Sequence, residues 1–129
     1  VVTIAPDATV RELVALLAEH NIGAVVVHDG QGPVAGIVSE RDVVRRLTGD
    51  TGVLDGAVAQ IMTSTVQTCA SSDSVDEVMG LMTQYRVRHV PVVDDGSLTG
   101  IISIGDVVKS RMGQLEFERD QLDSYVHQT

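Results

Sequence analysis

The chain has 129 residues, 43% of them apolar, with one cysteine and no tryptophan, which fits one compact domain or two small units packed as one and excludes a large multidomain enzyme within these residues. Nine basic against eighteen acidic side chains give a formal charge of −9, so duplex DNA, RNA and anionic membranes are poor partners without a local basic patch, and none is visible. The apolar runs fall far short of the roughly 20 residues of a spanning helix, Cys69 alone makes no intrachain disulfide, and no secretory signal pattern opens the chain, so a cytoplasmic home is expected.

The first residues, Val1 to Ile4, read as a strand already under way. Thr9-Val10-Arg11-Glu12 is a capping-box pattern that opens a helix with Val10, Leu13, Val14 and Leu17 as its apolar stripe. Ala24 to Val27 and Val34 to Val38 are short apolar strands separated by a turn at Asp29-Gly30, and Ser39 then starts a second helix through Val43 and Val44. Thr48 to Gly56 is rich in glycine, aspartate and threonine and serves as a linker, with Leu54, Val58, Ile61 and Met62 forming a short helix. Cys69 falls in the next strand, as a small core residue. Ser74-Val75-Asp76-Glu77 is a second capping-box pattern, and Val75, Val78, Met79 and Met82 form a second stripe, with Tyr85 also expected to pack. Strands at Val90 to Val93 and Leu98 to Ile102 follow around Asp94-Asp95-Gly96, and a helix from Ser103 runs through Val107 and Val108. From Arg111 to Val126 a further helix has Leu115, Leu122 and Val126 at helical spacing, suited to a dimer mate or client protein or simply covering an edge.

The chain is written twice. At an offset of 65, Val10, Glu12, Leu16, Val25, Val27 and Asp29 lie over Val75, Glu77, Leu81, Val90, Val92 and Asp94. At an offset of 64, Gly36, Ile37, Ser39, Asp42, Val43 and Val44 meet Gly100, Ile101, Ser103, Asp106, Val107 and Val108. The division is a first repeat over 1–50, a linker and short helix over 51–64, a second repeat over 65–110 and a helical extension over 111–129. Each repeat is a β-α-β-β-α unit, too small to bury enough surface alone, so the two are expected to share a core.

The sharpest pattern is a glycine, two apolar residues, a serine and, three positions on, an aspartate: Gly36-Ile37-Val38-Ser39-Glu40-Arg41-Asp42 and Gly100-Ile101-Ile102-Ser103-Ile104-Gly105-Asp106. A strand end running into a helix offers unpaired amides to an anion, with a hydroxyl beside them and a carboxylate able to accept both hydroxyls of a ribose. The same residues also make ordinary helix caps, serine at the cap and aspartate three positions on, and the two readings are compatible.

With Asn21-Ile22-Gly23-Ala24 before one central strand and Arg86-Val87-Arg88-His89-Val90-Pro91-Val92-Val93 at the other, the duplicated unit resembles a tandem pair of CBS domains, or Bateman module, as in small stand-alone bacterial CBS proteins. The resemblance covers the chain from Val2 to about Ser110. It implies an α/β (α+β) fold, two β-α-β-β-α repeats about a pseudo-twofold axis with two clefts, plus the C-terminal helix. It also implies an adenosine ligand: AMP, ADP or ATP, less often NAD or S-adenosylmethionine, with magnesium only alongside ATP. Carried over residue by residue, one cleft joins Thr3, Ile22, Gly23 and Ala24 to Ser103 and Asp106, and the other joins Gln67, Val87, Arg88 and His89 to Ser39, Arg41 and Asp42. The second cleft suits a phosphorylated ligand through Arg41, Arg88 and His89. Gly105 stands where Arg41 stands in the other half, leaving the first cleft poorer in charge, empty or holding a neutral portion of a ligand.

Each of these polar residues also has an ordinary use, Arg41 and Arg88 as solvated surface arginines and His89 as a packing or interface histidine. No nucleophile with a base, carboxylate pair or metal-ligand spacing points to an enzyme: His20, His28, His89 and His127 are scattered. Three hypotheses stand: a non-catalytic nucleotide sensor acting on a partner, a homodimeric interaction scaffold without nucleotide response, and an enzyme as the least favoured. The family resemblance implies a homodimer formed through helices, with the stripes Val10 to Leu17 and Val75 to Met82 as its expected surface.

Overall fold

The computed structural model describes residues 1–30 and 32–115. Repeat one holds β1 (Thr3–Ile4), α1 (Val10–His20), β2 (Ala24–Val27), β3 (Gly36–Ser39) and α2 (Glu40–Leu47). Its three strands are ordered β1-β2-β3, with β1 parallel to β2 and β3 antiparallel to it. Repeat two holds α3 (Val75–Tyr85), β4 (His89–Asp94), β5 (Ser97–Ser103) and a helix over 104–115, here α4. Repeat one has the expected order of elements throughout, and repeat two has it from α3 onward, its first strand being reduced to a single bridge at Cys69. The extension helix expected from Arg111 is met as far as 115, as an unbroken continuation of α4, and its Leu122 and Val126 lie outside the described residues.

Local chemistry sets the element boundaries. Thr9 and Glu12 form a complete capping box, the Thr9 hydroxyl accepting from the Glu12 amide at 3.1 Å and the Glu12 carboxylate from the Thr9 amide at 3.2 Å. At α3 the expected box is half made: Ser74 Oγ accepts from the Glu77 amide at 3.1 Å, and the Glu77 carboxylate is exposed, where a bond back to the cap amide adds little. Both helices end on a left-handed residue at equivalent positions, Asn21 and Arg86. The β4–β5 turn is the two-residue Asp95-Gly96, both at positive φ, which matches the twist of a tight hairpin. Asp94 fastens that hairpin to the preceding loop by accepting from the Ser71 amide and the Thr99 hydroxyl, each at 2.9 Å. The Ser71 bond, more than the Thr99 bond, holds its carboxyl below the usual carboxylate range.

Several expectations change. The linker helix is two short 3-10 turns, Thr51–Asp55 and Val58–Gln60, between which Gly56 and Ala57 leave helical geometry. Cys69 does not lie in a strand: it makes an isolated parallel bridge with Val92, its amide donating to Pro91 O at 3.0 Å and its carbonyl accepting from Val93 N at 2.8 Å. Its thiol is buried and pushed above the ordinary range by that burial, with Asp73 and Asp94 adding to the effect.

Each repeat has an apolar cluster of its own. Val10, Leu13 and Leu17 of α1 pack with Val25, Val27, Val38, Val43, Val58 and Ile61, and a separate cluster in repeat two holds Cys69, Val78, Met82, Val90 and Val107. Ala24 and Val26 are buried as well, on the opposite face of β2. Because α1 and α3 turn their stripes into these clusters, those stripes are not the free apolar surface expected for dimer contacts. Val14 is 40% exposed and Tyr85 46% exposed, so neither packs as anticipated. The free apolar face lies on α4, where Ile104, Val108, Met112 and Leu115 are all exposed. Among the described residues no helix is long and apolar enough to cross a membrane.

Candidate functional site

The two glycine-serine-aspartate motifs fold into matching corners. In repeat one the Ser39 amide and hydroxyl both donate to Asp42 Oδ2, at 2.8 and 3.0 Å, and the Asp42 amide donates back to Ser39 Oγ at 3.2 Å. In repeat two the Ser103 amide and hydroxyl donate to Asp106 Oδ2 at 2.9 and 3.0 Å, and the Asp106 amide to Ser103 Oγ at 3.1 Å. The capping role weighed from the sequence is thus built twice, with aspartate in place of the usual glutamate.

The backbone around each corner repeats as well. Ser39 pairs with Ala24 across the β2–β3 ladder and Ser103 with His89 across β4–β5. Glu40 N donates to Gly23 O at 3.0 Å, and at the equivalent positions Ile104 N donates to Arg88 O at 2.8 Å. A Cβ placed on Gly23 would lie 3.7 Å from Glu40 Oε1 and 4.0 Å from His89 Nε2. Repeat two therefore reaches repeat one at Gly23, which brings the two corners to one end of the pair. The hairpin turns meet at the other end, where Val1, Thr3, His28, Gly30, Gly32, Gly96, Ser97 and Leu98 line a groove of about 400 Å³. His28 fixes its own turn there, its Nδ1 accepting from Gly30 N at 3.2 Å while Nε2 lies 3.0 Å from Gly32 O.

The expected site residues distribute as follows. Gly23, Ala24, Ser103 and Asp106 gather around the meeting point with His89, whereas Thr3 lies in the hairpin-end groove. Ile22 and Val87 turn their side chains onto the two apolar clusters, so only their backbone is offered to a ligand. Ser39 and Asp42 are half-buried in their corner, Arg41 and Arg88 are exposed, and Gln67 is half-buried ahead of the Cys69 bridge. His89, grouped from the sequence with Ser39, Arg41 and Asp42, stands against Gly23 and beside Ser103. In the sequence Glu40 reads as a variable position inside the motif, although it is a charge where the other repeat has Ile104.

Burial holds the His89 imidazole below its ordinary range, against an upward pull from Asp106 and Glu40; Arg88 adds a smaller downward push. A histidine of this kind is neutral in both folded and unfolded chains above about pH 6.5, and below that the unfolded chain takes up its proton more readily. Stability from His89 is therefore complete above its unfolded value and lost as the pH falls below it. Thermal melts at pH 7 and pH 5 should show a larger drop for wild type than for His89→Asn. Equal drops would mean that His89 titrates alike in both states.

Comparison with known proteins places this geometry. The CBS domain family model matches residues 1–49 and 58–113. The CBS domain-containing protein YhcV of Bacillus subtilis (strain 168) is 30% identical over 112 residues, covering 87% of this chain and 79% of that protein. The crystal structure of the CBS-domain containing protein ATU1752 from Agrobacterium tumefaciens superposes with a TM-score of 0.81 at 47% identity, covering 86% of this chain and 89% of that one. The CBS domain pair of protein MJ0100, solved in complex with 5-methylthioadenosine and S-adenosyl-L-methionine, gives a TM-score of 0.79 at 28% identity, with 88% and 89% covered. Modules of this kind are regulatory rather than catalytic. With the model matched once on each repeat and the same corner built in both, the chain belongs to the CBS-domain family as a tandem pair.

Proposed function

We propose that the chain is a ligand-sensing regulatory module that binds an adenosine-containing nucleotide at its serine-aspartate corners and passes a conformational change to a partner. The observation that carries the reading is the doubled corner: each serine-aspartate pair caps its own helix, and beyond capping the two are brought to the same end. At each corner the first amides of a helix, a hydroxyl and a carboxylate stand within one turn, which supplies donors for an anion and an acceptor for ribose hydroxyls. Such a ligand shifts the protein between states only by binding one of them better. AMP and ATP are the favoured ligands, NAD and S-adenosylmethionine the others.

The test is isothermal titration of the folded chain with AMP, ATP, NAD and S-adenosylmethionine, beside Asp42→Ala. Saturable binding of one ligand, weakened about ten-fold or more in the variant (roughly 1.4 kcal/mol), is the expected outcome. The variant also loses a helix cap, at a cost of about 1 kcal/mol, so its melt is recorded to confirm that it is folded at the titration temperature. No heat from any of the four with wild type would remove the nucleotide reading.

A second reading, a homodimeric interaction scaffold, is favoured by α4. Ile104, Val108 and Met112 recur every four residues and Leu115 follows three later, so all four share one face. With Gly105, Lys109 and Gly113 the first three line an apolar groove of about 580 Å³. A second copy laid on this face would cover it, and Val44 at the position equivalent to Val108 is exposed too. Sedimentation equilibrium should give twice the chain mass for wild type and a monomer for Val108→Glu; a wild-type monomer at all concentrations would exclude this interface.

A further inference from the structure

The apolar face of α4 is bordered by charge that changes sign along the chain. Lys109, the single lysine of the sequence, lies on the rim of the α4 groove with Gly105 and Gly113 four residues to either side. Among the described residues no carboxylate pairs with it, whereas Arg111 meets Asp76 at 3.4 Å. Past 115 the sequence turns acidic, with Glu116, Glu118, Asp120 and Asp123 against Arg119 alone. The apolar spacing runs through this change. Val108, Met112, Leu115, Arg119, Leu122 and Val126 follow one another at alternating steps of four and three, the spacing of a seam between two paired helices with one polar member. The first three are 50%, 56% and 59% exposed, so nothing among the described residues covers that line. A Cβ on Gly113 would meet nothing within 4 Å, which leaves room beside Met112 for another backbone to come close.

We propose, building on the α4 homodimer reading above, that two copies pair antiparallel along this line, the acidic stretch 116–123 of each lying over the Lys109 end of the other. Pairing centred between Gly113 and Gln114 sets Met112 against Leu115 of the second copy, with Lys109 beside Glu116 of the second copy and Arg111 beside Glu118 of the second copy. Each of these contacts occurs twice, as a twofold interface requires. The exposed pair of Arg111 with Asp76 is of the weak surface kind, and a guanidinium has donors enough for two carboxylates. Parallel pairing makes one favourable match, Arg111 with Glu116, but sets Glu118 beside Asp123 and leaves Lys109 without a carboxylate. The distribution of charge thus selects the direction of the pair, and the apolar line supplies its contact surface.

The test is zero-length carbodiimide coupling of the full wild-type chain, which joins an amine to a carboxylate in direct contact and finds one lysine to act on, followed by peptide mapping. The expected product is a covalent dimer joining Lys109 to Glu116 or Glu118 of the second copy. In sedimentation equilibrium Lys109→Glu and Glu116→Lys should each weaken the dimer about ten-fold, since two symmetric pairs turn from attractive to repulsive. The double variant should recover most of that loss. A wild-type dimer that gives no such product and ignores both reversals would overturn the antiparallel arrangement while leaving the α4 homodimer in place. Lys109 coupled to the 116–123 stretch only within monomers would mean that the stretch folds back on its own α4, and would overturn the proposal as well. A wild-type monomer at every concentration would overturn both readings.

Discussion

Leu13→Ala is expected to destabilise the chain by about 3 kcal/mol, within the roughly 2–5 kcal/mol measured for such truncations in well-packed cores. Leu13 is fully buried at the centre of the repeat-one cluster, midway between Val10 and Leu17 on α1 and among side chains from β2, β3, α2 and the linker. Val10, Val25, Val27, Val38 and Val58 around it are β-branched and stiff at χ1, so the cavity left by the lost isobutyl group cannot easily be filled. The natural comparison is Val14→Ala one residue on: Val14 is 40% exposed, and its loss should move stability by no more than about 0.5 kcal/mol. Urea unfolding of the two variants measures the contrast. Similar midpoints would mean that the α1 face turned to the sheet is not the one described.

Gly36→Ala is the second large effect, with an expected cost of about 1–3 kcal/mol. A Cβ at Gly36 would fall 2.7 Å from Met62 Sδ and 2.8 Å from the Thr63 carbonyl oxygen. The Met62 side chain can turn aside, but the carbonyl cannot: Ile37 N donates to Thr63 O at 3.0 Å and Thr63 N to Ile37 O at 2.9 Å, which clips the linker to the edge of β3. Accommodating the methyl therefore means lengthening those bonds or shifting β3. Gly80→Ala supplies the opposite sign, since Gly80 lies in the helical interior of α3 with nothing within 4 Å of its added Cβ, and alanine there should stabilise by about 0.5–1 kcal/mol. Chemical denaturation of both variants settles the matter: a neutral Gly36→Ala would show that the linker does not press on β3 as closely as this.

The comparison of sequence with structure turns on which interactions are local. Caps, turns and the corner motifs act over three or four residues, and Thr9 with Glu12, Ser39 with Asp42, Ser103 with Asp106 and the Asp95-Gly96 turn were all legible as spacing. The duplication was legible because equivalent residues do equivalent work in both repeats. Periodicity could not say how wide the buried stripe of α1 is, so Val14 was placed inside it, nor that the open apolar face belongs to α4. A strand is equally hard to read when it shrinks to one bridge, as at Cys69, because pairing there is set by Val92 and its neighbours rather than by local propensity. The least legible feature was the meeting of Glu40 and His89 at Gly23, which joins residues far apart in the chain. Its one sequence signal was the mismatch in charge at equivalent positions, visible only after the two repeats had been laid over each other.

The Asp42 carboxylate caps its helix with a single oxygen. Both bonds from Ser39 end on Oδ2, and Oδ1 takes part in neither. An arriving ribose could thus engage Oδ1 without dismantling the cap, in a side chain whose rotamer is already fixed, so little conformational entropy remains to be lost at that point of contact. A corner preorganised in this way is a poor place for a ligand-driven rearrangement to begin. Any switching motion should then be sought in the displacement of one repeat against the other, with each corner moving as a rigid unit.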